Sequence, residues 1–166
     1  MQGITFEEIM FTIMSATQDT FKSYLNIDLF AGKVEKKITP LHSDIVGIVG
    51  IAGERVGYIL IASEMPSAVA VAREMLMADE PDDDAVRDAI GELTNNIAGC
   101  FKTRYHERYG SVALGLPMVV SGKVRPLADM GGDGTASGGM DVQCNGVTIP
   151  FRSLDGEVAF RVMVYM

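Results

Sequence analysis

Tryptophan is absent from this sequence, and cysteine, histidine and basic clusters are scarce. Cys100 and Cys144, the only two cysteines, cannot supply the disulfide framework of a small secreted domain, and reduced thiols are the expectation. His42 and His106 stand alone, outside any Cys/His or carboxylate spacing that makes a metal site. Fourteen Lys and Arg against 22 Asp and Glu leave a formal charge of −8, which argues against nucleic acid or an anionic membrane as partner. No apolar run reaches the roughly 20 residues that span a bilayer. The longest, Ile45 to Ile61, is broken by Gly47, Gly50, Gly53, Glu54, Arg55 and Gly57. No signal-peptide pattern precedes Ile4. One cytoplasmic globular domain over residues 1–166, with a protein or small-molecule partner, is therefore expected.

What is present is an aliphatic, methionine-rich chain, 48% hydrophobic and 22% charged, composition enough for a substantial core. Phe6 to Leu25 reads as an amphipathic helix with Thr5 capping it towards Glu8 and Asn26 at its end. Lys33 to Leu41 reads as a strand bent at Pro40. Ile45 to Ile51 and Val56 to Ala62 make a hairpin of buried strands. Ser63 is positioned to cap a short helix through Met77, with Pro66 in its first turn. A long helix runs from about Asp84 to Glu107, with Gly110 past its end. Val112 to Leu114 and Met118 to Lys123 suggest strands around Pro117. Asp141 to Phe151 and Glu157 to Tyr165 close the chain as a hairpin turned at Leu154-Asp155-Gly156.

Several chemistries find little support. Asp79-Glu80-Pro81-Asp82-Asp83-Asp84 suits a helix N-terminus better than a metal cage, since carboxylates there complement the macrodipole. The glycine-rich stretch Pro126 to Gly139 reads as a hairpin loop, with no Gly-Lys-Ser/Thr and no helix behind it to cradle phosphate. Gly47-x-x-Gly50-x-x-Gly53 lies within strand and hairpin, where close backbone packing explains it. Cys100 points to the buried side of its helix, and no Gly-x-Ser-x-Gly elbow occurs.

The two halves resemble each other. Phe21-Lys22-Ser23-Tyr24 answers Phe101-Lys102-Thr103-Arg104-Tyr105, Gly32-Lys33-Val34 answers Gly122-Lys123-Val124, and each half ends in strand, turn, strand. The repeat predicts a pseudo-twofold α/β (α+β) domain, with long helices on one face of a mainly antiparallel sheet of about six strands.

Within the long helix, Asp88, Glu92, Asn95, Gly99 and Lys102 fall in an arc of about 80° at about 100° per residue. Val86, Ile90, Leu93, Ile97 and Phe101 lie opposite. The polar face holds a carboxylate, an amide and a glycine, and Gly91 and Gly99 each cost helix stability of roughly 1 kcal/mol relative to Ala. Glycine is expected where another surface approaches closely, whether a partner or a packed helix. The repeat puts Thr12 and Ser15 where the second half has Glu92 and Asn95, so only one copy carries the polar pair.

Asp88-x-x-x-Glu92-x-x-Asn95 with Pro117 downstream, and above all Glu92-Leu93-Thr94-Asn95-Asn96-Ile97-Ala98-Gly99, resembles the signature of the CheC/CheX/FliY family of chemotaxis phosphatases. Gly47-Ile48-Val49-Gly50-Ile51-Ala52-Gly53 and Gly115-Leu116-Pro117 resemble CheX segments, and a single intact motif makes CheX the nearer relative. The resemblance implies dephosphorylation of the aspartyl phosphate of a CheY-type response-regulator receiver. Asn95 would orient the attacking water and Glu92 would pair with the receiver's active-site Lys. Asp88, Gly99 and Lys102 would border the contact. Mg²⁺ is expected on the receiver, with no cofactor or metal of this chain's own, and a homodimer is expected. A scaffold or adaptor of the same fold, without enzymatic activity, is the alternative. The Pro126 to Gly139 stretch has no counterpart in the resemblance.

Overall fold

The structure, a computed structural model, describes residues 4–36, 43–122 and 146–166. Helix α1 (Phe6–Leu25) starts with the capping box expected from sequence. The Thr5 side chain accepts from Glu8 N–H at 3.3 Å, and the Glu8 carboxylate accepts from Thr5 N–H at 2.7 Å. Asn26 ends the helix in the left-handed conformation, φ 52°, which asparagine tolerates better than most residues.

Strand β1 (Leu29–Ala31) follows, and it differs from the strand expected over Lys33 to Leu41. It pairs antiparallel with β6 (Gly146–Ser153), Ala31 opposite Phe151. Beyond that, Gly32 N–H donates to Pro150 O at 2.7 Å, but Pro150 has no N–H to return, so the ladder is interrupted there. Only Glu35 re-engages, in an isolated bridge to Thr148. Residues 37–41 of the expected strand lie outside the described residues, as do His42, Cys144, residues 141–145 and the glycine-rich stretch 126–139.

Strands β2 (Ile45–Gly53) and β3 (Gly57–Ser63) form the expected hairpin. Helix α2 (Met65–Leu76) comes next, but Ser63 does not cap it. Ser63 is the last residue of β3, and its hydroxyl donates to Glu64 O at 2.8 Å. The first-turn amide of Met65 donates instead to Asp44 Oδ2 at 2.8 Å, a carboxylate 21 residues away brought in by the hairpin. Helix α3 (Asp83–Tyr109) has Asp82 as N-cap, accepting from Ala85 N–H at 2.8 Å, and ends at Gly110 with φ 102°. The acidic run thus includes a helix cap, with Asp83 and Asp84 in the first turn. β4 (Val112–Leu114), β5 (Met118–Ser121) and the hairpin β6–β7, with β7 at Ala159–Tyr165, complete the chain.

The sheet has seven strands in the order β1-β6-β7-β3-β2-β4, with β5 also on β2, and every described pairing is antiparallel. Exchanging β1 with β4/β5, β2 with β6 and β3 with β7 leaves that order unchanged. This is the pseudo-twofold anticipated from the repeat, with seven strands against the six or so expected. All three helices join one core cluster, packed on Ile45, Val49, Ile59, Ile149 and Val162. Phe21 and Phe101, aligned by the repeat, are both fully buried. Burying each such large side chain contributes about 1.5–3 kcal/mol. A second cluster, Val46, Leu60, Ala62, Met163 and Tyr165 with Ile48, occupies the opposite face of the sheet and includes no helix residue.

Candidate functional site

The α3 ridge is held from below. Gly47 on β2 lies under Thr94, and a Cβ there would come within 3.0 Å of Thr94 Cβ and 3.3 Å of Ile90 Cγ2. The missing side chain lets α3 sit directly on the strand. The buried Thr94 hydroxyl donates to Ile90 O at 2.6 Å, so its bonding is satisfied within the helix. With Leu93 and Thr94 buried, the helical period turns Glu92 and Asn95 outward, and both are exposed.

Asp88 and Lys102 are exposed on the same face, and Gly99 is half-buried between them and the core. The side chains of Asp88, Glu92, Asn95 and Lys102 make no hydrogen bond or ion pair among the described residues. Two arginines of α3 are engaged elsewhere: Arg87 donates to Asp84 at 2.7 Å, and Arg104 reaches across to α1. The polar face is therefore a line of uncommitted groups. Among the described residues no three His, Cys, Asp or Glu converge as a metal site, and His106 is exposed with Nδ1 3.1 Å from Ser111 Oγ.

The two glycines of α3 have different reasons. A Cβ at Gly91 would lie 3.3 Å from Val119 Cγ2 on β5, so that glycine serves internal packing. A Cβ at Gly99 would meet nothing within 4 Å. The fold does not require glycine there, although glycine weakens the helix.

The equivalent face of α1 is occupied. Thr12 donates back to Glu8 O at 2.6 Å, and Ser15 accepts from Arg104 Nη1 at 2.7 Å. Arg104 also pairs with Asp19. Partial burial opposes the charge of Arg104, but Cys100 and Asp19 outweigh it and raise its pKa above the ordinary arginine value. Sequence reasoning passed over two further surface residues. Tyr24 is the α1 counterpart of Arg104, by the same offset that aligns Phe21 with Phe101, and it is 63% exposed. Leu116 is 92% exposed in the turn between β4 and β5, where Gly115 N–H donates to Gly50 O at 2.8 Å. The repeat itself was the signal for Tyr24.

A sheet that maps onto itself by exchange of halves, with its helices on one face, is the fold shared with solved CheX, CheC-like and FliY structures. The chemotaxis phosphatase CheX family matches residues 45–152, and the chain belongs to it. No curated protein matches the sequence. Among solved structures, CheX from Desulfovibrio desulfuricans is similar over 96% of this chain and 99% of its own, at 24% identity and a TM-score of 0.78. CheX in a CheX-CheY-BeF3-Mg²⁺ complex from Borrelia burgdorferi is similar over 95% and 96%, at 21% identity and TM-score 0.69. FliY of Thermotoga maritima is similar over 99% and 92%, at 17% identity and TM-score 0.61.

Proposed function

We propose that the chain is a phosphatase for the aspartyl phosphate of a CheY-type response-regulator receiver, acting through the α3 ridge. The observation that carries this reading is the contrast between two equivalent helices. Thr12 and Ser15 are tied into the fold, whereas Glu92 and Asn95 are exposed and uncommitted. Membership of the chemotaxis phosphatase family and the similarity to a CheX solved with CheY support the same reading.

An aspartyl phosphate is an acyl phosphate. Hydrolysis forms a bond from water oxygen to phosphorus as the bond from phosphorus to the aspartate oxygen breaks. The electron pair leaves on the carboxylate, and the water proton ends on inorganic phosphate or solvent. Little is required of the second protein beyond position. Asn95 supplies an amide that accepts and donates without titrating, suited to holding the attacking water in line. Glu92, one turn earlier, offers a carboxylate to the receiver's active-site Lys and sets the depth of docking. Gly99 gives room for close approach, with Asp88 and Lys102 at the margins. Mg²⁺ belongs to the receiver in this scheme, and no metal or cofactor is required of this chain.

The adaptor reading would be favoured by a Glu92 or Asn95 buried within its own fold, and the exposure of both counts against it. Self-association as a homodimer through a sheet edge belongs to the same proposal. The decisive measurement is phosphate release from a phosphorylated CheY-type receiver. Wild type accelerates release, and Asn95→Ala lowers the rate by about 10²-fold or more while retaining binding. Equal rates with wild type, Asn95→Ala and no added protein would overturn the assignment.

A further inference from the structure

The face of the sheet without helices carries a second feature, at the end where β3 finishes. Strand register places Pro150, Arg161 and Ala62 in one row, and Phe30 and Arg152 in a row two residues along. Ala62 belongs to the cluster on the helix-free face, and alternation of side chains puts Arg161, Arg152 and Phe30 on that face too. These residues line a hollow of about 830 Å³, together with Ser43 and Glu64.

Two observations point to an occupant. Arg152 and Arg161 project from neighbouring strands, and neither forms a hydrogen bond or ion pair among the described residues. Like charges on adjacent strands repel, and among the described residues no carboxylate pairs with either arginine. Phe30 sits opposite Arg152 with 56% of its surface exposed, a ring available for stacking.

We infer that this hollow binds a small phosphorylated ligand, the guanidinium groups of Arg152 and Arg161 gripping the phosphate, and Phe30 and Pro150 covering an apolar part. Planar guanidinium forks match phosphate oxygens in pairs, and two of them suit a dianion. Glu64 is the one carboxylate on the wall among the described residues, and it directs the anion towards the arginine side. Ser67 is not available, because its hydroxyl already donates to Glu157 O and accepts from Ala159 N–H. The inference rests on none of the α3 ridge residues and stands apart from the phosphatase reading.

The test is calorimetric titration of the intact chain with phenyl phosphate, inorganic phosphate and phenylsuccinate at fixed ionic strength. Phenyl phosphate is expected to bind more tightly than the other two. Arg152→Gln/Arg161→Gln should weaken it by about tenfold or more, and Phe30→Ala should remove its advantage over inorganic phosphate. Both arginines are exposed, and circular dichroism checks that the double variant folds. No heat with phenyl phosphate, equal affinity in the double variant, or preference for phenylsuccinate would each overturn the inference.

Discussion

Thr94 occupies the space that a side chain on Gly47 would need, its Cβ 3.0 Å from where that Cβ would stand. The contact joins the ridge-bearing helix to the sheet directly beneath Asn95. Gly47→Ala is expected to lower stability by about 1–3 kcal/mol through overpacking, read by urea denaturation. Adding Thr94→Ala should recover part of that loss, because it removes the Oγ1 that lies nearest the added Cβ, at the cost of one internal hydrogen bond. A double-mutant cycle measures the coupling.

Gly91 and Gly99 should separate in opposite directions. Gly99→Ala meets open space and is expected to raise stability by about 0.5–1 kcal/mol while weakening receiver binding. Gly91→Ala must displace Val119 on β5 and is expected to gain less stability or to lose some. Melting temperatures and receiver affinity, measured on both variants, decide.

Glu92 is exposed and unpaired among the described residues, so the attraction to a receiver lysine proposed for it would be screened by salt. Glu92→Gln is expected to raise KM with a smaller effect on kcat and to flatten the dependence of KM on ionic strength. A wild type and variant with the same salt dependence would remove Glu92 from docking.

Two carboxylates give the fold an acid limit. Glu8 is held below its ordinary 4.5 first by the Thr5 backbone N–H, then by Tyr109 and the Thr5 hydroxyl. Asp155 is held below 3.8 by the Ser153 hydroxyl and the Glu157 N–H. Each binds a proton more readily in the unfolded chain, so stability rises with pH across the interval between the folded and unfolded pKa values. Their contributions are complete above about pH 4.5 and are lost as pH falls through the lowered folded values. Glu8→Gln should reduce the slope of stability against pH in that window, measured by denaturation between about pH 3 and 6.

The long-range cap on α2 is also testable. Asp44→Ala should cost about 1 kcal/mol, and Ser63→Ala, which removes no cap, should leave the first turn of α2 intact by hydrogen exchange.

What was legible in the sequence is what is local. The Thr5/Glu8 capping box, Asn26 and Gly110 lie within a turn of the helix ends they define, and the β2–β3 hairpin follows from adjacent β-branched runs. The misplaced elements depend on distant chain. β1 is three residues whose extent is set by Pro150, more than a hundred positions away, and the α2 cap comes from Asp44 across a hairpin. The polar ridge was legible as a face, because Asp88, Glu92, Asn95 and Lys102 share a helical period. The separate meanings of its glycines were not, since Val119 reaches Gly91 only after the sheet has formed. Arg152 and Arg161 had a period-two signal on β6 and β7, but only the strand register makes them neighbours.

The strand order that survives exchange of its halves has an implication for how such a protein acquires or sheds active sites. α1 occupies a seat equivalent to that of α3, so a second Glu-x-x-Asn surface is geometrically available at Thr12 and Ser15. What stands in the way is one arginine, for Arg104 reaches over from α3 to Ser15 and Asp19. The number of exposed ridges in this architecture is therefore governed by a handful of side chains on a duplicated frame, and α1 acts as the buttress of α3.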